Sequence, residues 1–212
     1  MRKLISFDLD QTLVETTKAH TLAFQMSFKK FGLKTSYNKI SKLIDGRHST
    51  EVILGLFPKL NKKQVLEIRN LHHKFLKKTV KYAKPIPGAL KVLTALKKKY
   101  KLAIVTNCAK EEAFVLLKAS KIPKKLFTTI VLYTPDLRPK PFPDEILRAE
   151  KLARANADYH IGDSIYDVIA GKKARAITIA VLSGAATRKK FAKYKPHHII
   201  KSIKELPKLL NK

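Results

Sequence analysis

The sequence has a single cysteine, Cys108, among 212 residues. One thiol excludes an intrachain disulfide and any thiolate cluster for zinc, and it suits a reducing compartment. No run approaches the roughly 18 apolar residues a membrane-spanning helix needs. Arg2-Lys3 leads straight into Leu4-Ile5-Ser6-Phe7-Asp8, an apolar stretch too short for a secretory leader. The expectation is a cytoplasmic chain with no membrane partner. Acids are scarce, with 16 Asp+Glu against 45 Lys+Arg and a formal net charge of +29. Such a field attracts anions, nucleic acids included. The lysines run along the whole chain, however. Their densest clusters, Lys97-Lys98-Lys99, Lys172-Lys173 and Arg188-Lys189-Lys190, read as solvated helix ends. No basic stretch is interleaved with aromatics as a base-stacking platform would be. The charge therefore reads as a lysine-rich compositional bias, with non-specific attraction of polyanions as a possible consequence.

What is present is a globular pattern. Apolar residues make up 45% of the chain, enough at this length for one full core with a modest insert. Short apolar runs recur at Leu4–Phe7, Leu102–Val105, Thr129–Leu132, Tyr159–Ile161 and Ile177–Leu182, each followed by a polar turn. Helical stretches lie between most of them: Gly88–Tyr100, Glu111–Ser120, Asp144–Arg154 and Ile165–Lys173. Continuous apolar strands alternating with helices predict an α/β fold, a Rossmann-like parallel sheet covered on both faces. The alternation breaks once. Between about residues 15 and 83 the periodicity is helical throughout. Ala19, Leu22, Ala23 and Met26 form one stripe and Phe24, Phe28 and Phe31 a second, which predicts a helix packed on two sides. Val65, Ile68, Leu71, Phe75 and Leu76 mark another long helix, and Pro85-Ile86-Pro87-Gly88 reads as a hinge and restart. The predicted organisation is a core domain from 1–14 and 84–212, interrupted by an all-helical domain over 15–83.

In open parallel sheets, ligands bind outside the carboxyl ends of the strands. The segments that follow the strands here are Asp8-Leu9-Asp10-Gln11-Thr12, Thr106-Asn107, Arg138-Pro139-Lys140-Pro141 and Gly162-Asp163-Ser164-Ile165-Tyr166-Asp167. Acids, a hydroxyl, an amide and a lysine are thus predicted to meet on one edge.

Phosphate monoesters hydrolyse so slowly that an enzyme has to supply ~20 kcal/mol or more of transition-state stabilisation. Two carboxylates two residues apart at a strand end can divide that work. Asp8 would attack phosphorus in line, while Asp10 would protonate the leaving oxygen and later activate water. A carboxylate approaching a phosphate dianion needs countercharge, which Mg²⁺, an oxygen-seeking cation, would provide. Asp8, the carbonyl of Asp10 and Asp163 are the expected ligands. Asp167, one helical turn beyond Asp163, completes the metal-site acids by orienting bound water or Lys140. Thr106, Asn107 and Lys140 would hold the phosphoryl oxygens.

Taken together and in order, these four segments resemble the four motifs of the haloacid dehalogenase superfamily of aspartate-nucleophile phosphatases, in the branch with a helical cap after the first strand. The resemblance runs from Lys3 to the last helix. It implies phosphoryl transfer rather than dehalogenation, because the family associates an acid at the position of Asp10 with the former. Lys140-Pro141 is a candidate cis peptide. Two departures stand out: the family usually has glycine where Gln11 stands and near Arg175. The larger Gln11 side chain is expected to keep its backbone out of a glycine-only conformation.

The resemblance places Thr16 and His20 at the cap hinge, where His20 could contact Asp10 or simply pack. It brings Gly46-Arg47 toward the site, where Arg47 could hold a substrate carboxylate or second phosphate, or lie on the surface. Glu51 reads as an ordinary helix residue. His72 and His73 are adjacent, so they cannot form a metal pair on one helix face. Cys108 reads as filling a helix start. The family acts on phosphoglycolate, sugar phosphates, nucleotides or pyrophosphate. A phosphoglycolate phosphatase-like hydrolase is the first expectation. A phosphoglucomutase-like transferase and a non-catalytic polyanion-binding protein are the alternatives.

Overall fold

The computed structural model describes residues 2–44 and 46–210. Its core is a six-stranded parallel sheet in the order β5-β4-β1-β6-β7-β8. The strands are β1 (Leu4–Phe7), β4 (Lys101–Thr106), β5 (Thr129–Leu132), β6 (Ala157–Gly162), β7 (Ile177–Val181) and β8 (His198–Ile200). Two short strands, β2 (Val14–Glu15) and β3 (Lys84–Pro85), pair antiparallel as a separate ribbon. β1 is fully buried along its length, as a strand flanked on both edges and covered on both faces must be. Phe7 lies in register with Ile104 on one side and Ile161 on the other. The ends of β1, β4 and β6 therefore stand side by side.

The helices are α1 (Thr17–Lys30), α2 (Tyr37–Leu43), α3 (Ser49–Leu56), α4 (Lys62–Thr79), α5 (Ala89–Lys97), α6 (Lys110–Ala119), α7 (Asp144–Ala153), α8 (Ile165–Lys173), α9 (Arg188–Tyr194) and α10 (Leu206–Leu210). None is long and apolar enough to cross a membrane among the described residues. The first four follow one another without a sheet strand between them. α1 has the two faces its stripes predict. Ala19 and Ala23 join the main core with Leu76. Phe24 and Phe28 join a second apolar cluster with Ile40, Val52, Ile53 and Ile68 from the neighbouring helices. Burying each phenylalanine contributes roughly 1.5–3 kcal/mol, which fixes α1 between two bodies of structure. α4 begins at a reciprocal cap, Asn61 and Gln64 each accepting from the other's backbone N–H.

The segment over 15–83 leaves the core through β2 and returns through β3. The sequence reading found no strand there, because two-residue strands leave no alternation to see. It also missed β8, whose three residues follow His197 without a distinguishing run.

Candidate active site

β1 delivers Asp8 to the centre of the sheet edge, and the Asp8 N–H donates to the Ile161 carbonyl at 2.9 Å, prolonging the pairing with β6. β6 ends at Gly162, and Asp163 and the α8 N-cap Ser164 follow. Asp167 occupies the third position of α8 and accepts from the Ser164 N–H at 3.1 Å, in a reciprocal cap. Lys140 comes from the segment between β5 and α7, through a cis Lys140–Pro141 bond. These groups converge. Lys140 Nζ donates to Asp8 Oδ1 at 2.6 Å, to Asp167 Oδ1 at 2.7 Å and to the Val105 carbonyl at 3.1 Å. Asp8, Asp163 and Asp167 each present one carboxylate oxygen within 4.8 Å of the others, and all three are buried. Thr12 Oγ1 donates to Asp163 Oδ1 at 3.0 Å.

Three buried carboxylates cluster here, and the Lys140 ammonium pairs with two of them, Asp8 and Asp167. Burial, outweighing Lys140, pushes Asp8 up to about 8, with Asp167 and Asp10 adding to the rise. Burial would lower Lys140, but Asp167, Asp8 and Glu145 outweigh it and hold the ammonium far above its ordinary value. A hard divalent cation among the three oxygens would remove the excess negative charge and return Asp8 to its ionised form. The donor set, all oxygen and acidic, fits Mg²⁺.

Asp10 lies beside this centre and its carboxylate turns elsewhere. Oδ1 is 3.1 Å from His20 Nε2, and Oδ2 accepts from the Cys108 thiol at 2.8 Å. Burial alone would raise Asp10, but hydrogen bonds from His20, Cys108 and Thr16, with the His20 charge, hold it below the ordinary carboxylate range. The Asp10 carboxylate therefore lies with His20 and Cys108 and apart from the three clustered carboxylates, which leaves its backbone carbonyl as the expected metal-facing group.

Every residue singled out from the sequence lines one cleft: Asp8, Asp10, Thr16, His20, Arg47, Thr106, Asn107, Lys140, Asp163 and Asp167. The cavity they enclose has a volume of about 90 Å³. Thr106 Oγ1 accepts from the Cys108 N–H at 3.2 Å. The Asn107 amide is engaged by the protein itself. Its Oδ1 accepts from the Lys140 N–H at 2.9 Å, and its Nδ2 donates to the carbonyls of Lys140 and Gly46 at 3.3 and 3.4 Å. Asn107 thus ties Lys140 to the loop over the cleft and does not present a free amide to the phosphoryl oxygens. Arg47 lies on that loop, exposed at the rim.

The loop comes very close to the core. Gly46 has φ 65°, and a Cβ built there would fall 2.5 Å from Ser164 Cβ. Gly184, after β7, is similarly confined: a Cβ there would meet Asp163 Oδ2 at 1.9 Å. The sequence reading singled out Gly46 only as the neighbour of Arg47 and passed over Gly184. Both contacts join segments far apart in the chain.

His160 was not singled out from the sequence, and Gln11 was noted there only as a departure from the family pattern. His160, on β6, lies 3.3 Å from Asp167 Oδ1 through Nε2 and 2.9 Å from Ser6 Oγ through Nδ1, so it fixes the carboxylate that holds Lys140. Gln11 adopts φ 56°, contrary to the expectation that its side chain would keep it out of glycine-favoured backbone. In the amide orientation that satisfies its neighbours, its oxygen accepts from the N–H groups of Thr17 and Thr16 at 2.7 and 3.0 Å, covering the start of α1. Those bonds compensate the left-handed conformation, which costs a non-glycine residue roughly 1–2 kcal/mol.

A doubly covered parallel sheet with a buried lysine and a cluster of buried carboxylates at its carboxyl edge is the architecture of a hydrolase. The chain belongs to the haloacid dehalogenase-like hydrolase family, whose sequence pattern matches residues 5–181, and within it is an HAD-type phosphatase. It is 31% identical to a phosphoglycolate phosphatase of Aquifex aeolicus over 86% of this chain and 85% of that one. It is 24% identical to the pyrophosphatase PpaX of Oceanobacillus iheyensis over 96% and 94% of the two chains. The fold superposes with a TM-score of 0.89 on a haloacid dehalogenase-like hydrolase from Bacteroides fragilis, at 23% identity and 97% and 100% coverage.

Proposed function

We propose that the protein is a Mg²⁺-dependent phosphomonoester hydrolase for small phosphorylated metabolites, working through a phosphoryl group carried on Asp8. The observation that carries this reading is Lys140 held between Asp8 and Asp167, with Asp163 alongside. Asp8, Asp163 and Asp167 would hold the cation, with the Asp10 carbonyl as a further oxygen. When bound, the metal neutralises the phosphate dianion and the carboxylate that approaches it.

The remaining work falls to the chain. Lys140 aims Asp8 and meets one phosphoryl oxygen, and Thr106 meets another. Asp10, outside the carboxylate cluster and hydrogen-bonded by His20, passes a proton to the leaving oxygen and takes one from the water that cleaves the Asp8 acyl phosphate. Residues 15–83 act as a cap swinging on the β2–β3 ribbon, and Thr16 and His20 connect its first helix to Asp10. Arg47 at the rim reads the far end of the substrate. Its guanidinium suits a carboxylate or a second phosphate, and the relative at 31% identity supports phosphoglycolate as the first substrate to try.

The test is phosphate release from a panel of small phosphomonoesters and pyrophosphate, with and without Mg²⁺. Turnover of at least one monoester, dependent on Mg²⁺ and absent in Asp8→Asn, is the expected result. Metal-independent turnover, or turnover by Asp8→Asn, contradicts the assignment.

A further inference from the structure

A line of buried polar groups leads away from Asp10, and the reaction outlined above does not use it. His20 Nε2 is 3.1 Å from Asp10 Oδ1, and His20 Nδ1 is 3.1 Å from His72 Nε2. The two imidazoles are inclined by only 16° with centroids 5.2 Å apart, a separation set by nitrogen meeting nitrogen and too wide for face-to-face contact. His72 Nδ1 stands 3.1 Å from Glu112 Oε1, and His73 Nε2 stands 3.3 Å from the same oxygen. Glu112 is held by its other oxygen, which accepts from the Ala109 N–H at 3.2 Å at the start of α6. His72 is almost wholly buried and lies face to face with Phe24 at 3.9 Å, while the His73 side chain is 23% exposed. The line thus runs from the cleft through α1 and α4 to α6 and out to solvent. Adjacent residues share no helix face, but here two adjacent histidines reach one carboxylate from different sides.

Hydrogen-bond arithmetic restricts how protons occupy this line. Each neutral imidazole has one N–H and one acceptor nitrogen. If His20 is neutral and donates to Asp10, its Nδ1 must accept from His72 Nε2–H. That leaves the bare Nδ1 of His72 facing the Glu112 carboxylate, two acceptors opposed. If His20 carries both protons, every contact has one donor: His20 to Asp10, His20 to His72, and His72 Nδ1–H to Glu112. His72 Nδ1 and Glu112 Oε1 are at hydrogen-bonding distance without being aligned as a hydrogen bond, and His72 Nδ1 has no other partner among the described residues. The surroundings favour the second arrangement. Burial holds His72 neutral, down to about 4. Burial opposes ionisation of Glu112, yet His72, His73 and His20 outweigh it and bring the carboxyl down to about 2.

We infer that His72 and Glu112 are positioning residues for acid–base catalysis: through His20 they store, next to Asp10, the proton that the leaving group requires. This rests on the role proposed for Asp10. When the ester P–O bond breaks, Asp10 gives its proton to the leaving oxygen, and His20 supplies that proton by a shift along the existing hydrogen bond. When water attacks the acyl phosphate, its proton returns to Asp10 and then to His20, so the line is neither gained from nor depleted in a full cycle. His73 gives Glu112 its contact with solvent.

The experiment compares two substrates in the full-length enzyme with Mg²⁺. An alkyl phosphate has a leaving group that must be protonated, whereas 4-nitrophenyl phosphate releases a stable phenolate. General acid–base catalysis is worth ~10²–10⁴-fold, and loss of the stored proton should cost part of that. In Glu112→Gln, the ratio of alkyl to aryl turnover is expected to fall about tenfold or more. His72→Phe, which retains the packing on Phe24, should lower the ratio similarly and serves if Glu112→Gln does not fold. An unchanged ratio, whether both rates fall together or neither moves, overturns the inference and leaves a structural role. Asp10→Asn is the separate control: if its ratio is also unchanged, the assignment of Asp10 as general acid fails.

Discussion

Lys140 and Asp8, 132 residues apart in the chain, meet at 2.6 Å in the interior of the active-site edge. The same ammonium reaches Asp167 at 2.7 Å, so one cation holds two of the three buried carboxylates. This pairing fixes the direction of the Asp8 carboxylate. Lys140→Met leaves both carboxylates without their partner. Breaking a buried pair costs about 3–5 kcal/mol, and the expected result is a loss of that order in urea unfolding together with loss of turnover. A stability unchanged within error would show that the pair contributes nothing to the fold.

The cluster of three buried carboxylates makes a thermodynamic prediction independent of turnover. Mg²⁺ should raise the melting temperature of the metal-free protein, because it binds the folded state alone. Asp163→Asn should weaken that response, requiring more Mg²⁺ for the same shift. Differential scanning calorimetry over a Mg²⁺ series reads both. No shift in the wild type would remove the cluster from consideration as a cation site.

Gly46 tests whether catalysis needs the loop against the core. Its φ of 65° and a Cβ position 2.5 Å from Ser164 Cβ leave no room for alanine while the loop lies against the core. Gly46→Ala should hold the loop off the cleft, lowering kcat/KM by about tenfold, since small misplacements are costly in preorganised sites. Urea unfolding should change much less. Wild-type kinetics in this variant would mean that catalysis does not need the loop where the structure has it.

Glu145, in the first turn of α7, is fully buried, and neither carboxylate oxygen has a hydrogen-bond partner among the described residues. Burial pushes it up to about 7, against the pull of Lys140. A folded value above the unfolded one means that the native state binds the proton more tightly. This group's contribution is therefore fully present below about 4.5 and is lost as pH rises through 7. Glu145→Gln abolishes that loss. The stability of the variant minus that of the wild type should be near zero at pH 4 and reach on the order of 3 kcal/mol in the variant's favour at pH 8. A pH-independent difference would contradict the assignment.

The sequence made the sheet and its carboxyl edge legible, because buried parallel strands are continuous apolar runs and the polar residues after them have few other duties. Asp8, Lys140, Asp163 and Asp167 were found this way, and the structure brings all four together. The two faces of α1 were likewise visible, with Ala19 and Ala23 on one side and Phe24 and Phe28 on the other, while Leu22 and Met26 of the first stripe are only partly buried. What stayed hidden depends on pairs distant in sequence. Nothing near Glu112 announces that it will meet His72 and His73 from the far side of the cap, and His160 reads as one more residue of a strand. Backbone conformation was the other blind spot. Gln11 and Arg175, where the family usually has glycine at or near the position, have φ of 56° and 61°. The left-handed turns have been retained with ordinary side chains, and for Gln11 the compensation is its cap on α1. The sequence reading took Cys108 as filler at a helix start, whereas its thiol donates to Asp10, a contact across 98 residues.

The most direct test of the central claim is to trap the phosphoryl group on the enzyme. Mixing the protein with a ³²P-labelled substrate from the release screen and Mg²⁺, quenching in acid within the first turnover and mapping the labelled peptide should place the label on Asp8. It should be stable to acid and lost to hydroxylamine, as an acyl phosphate is. Turnover with no label, or a label on any other residue, would contradict the account.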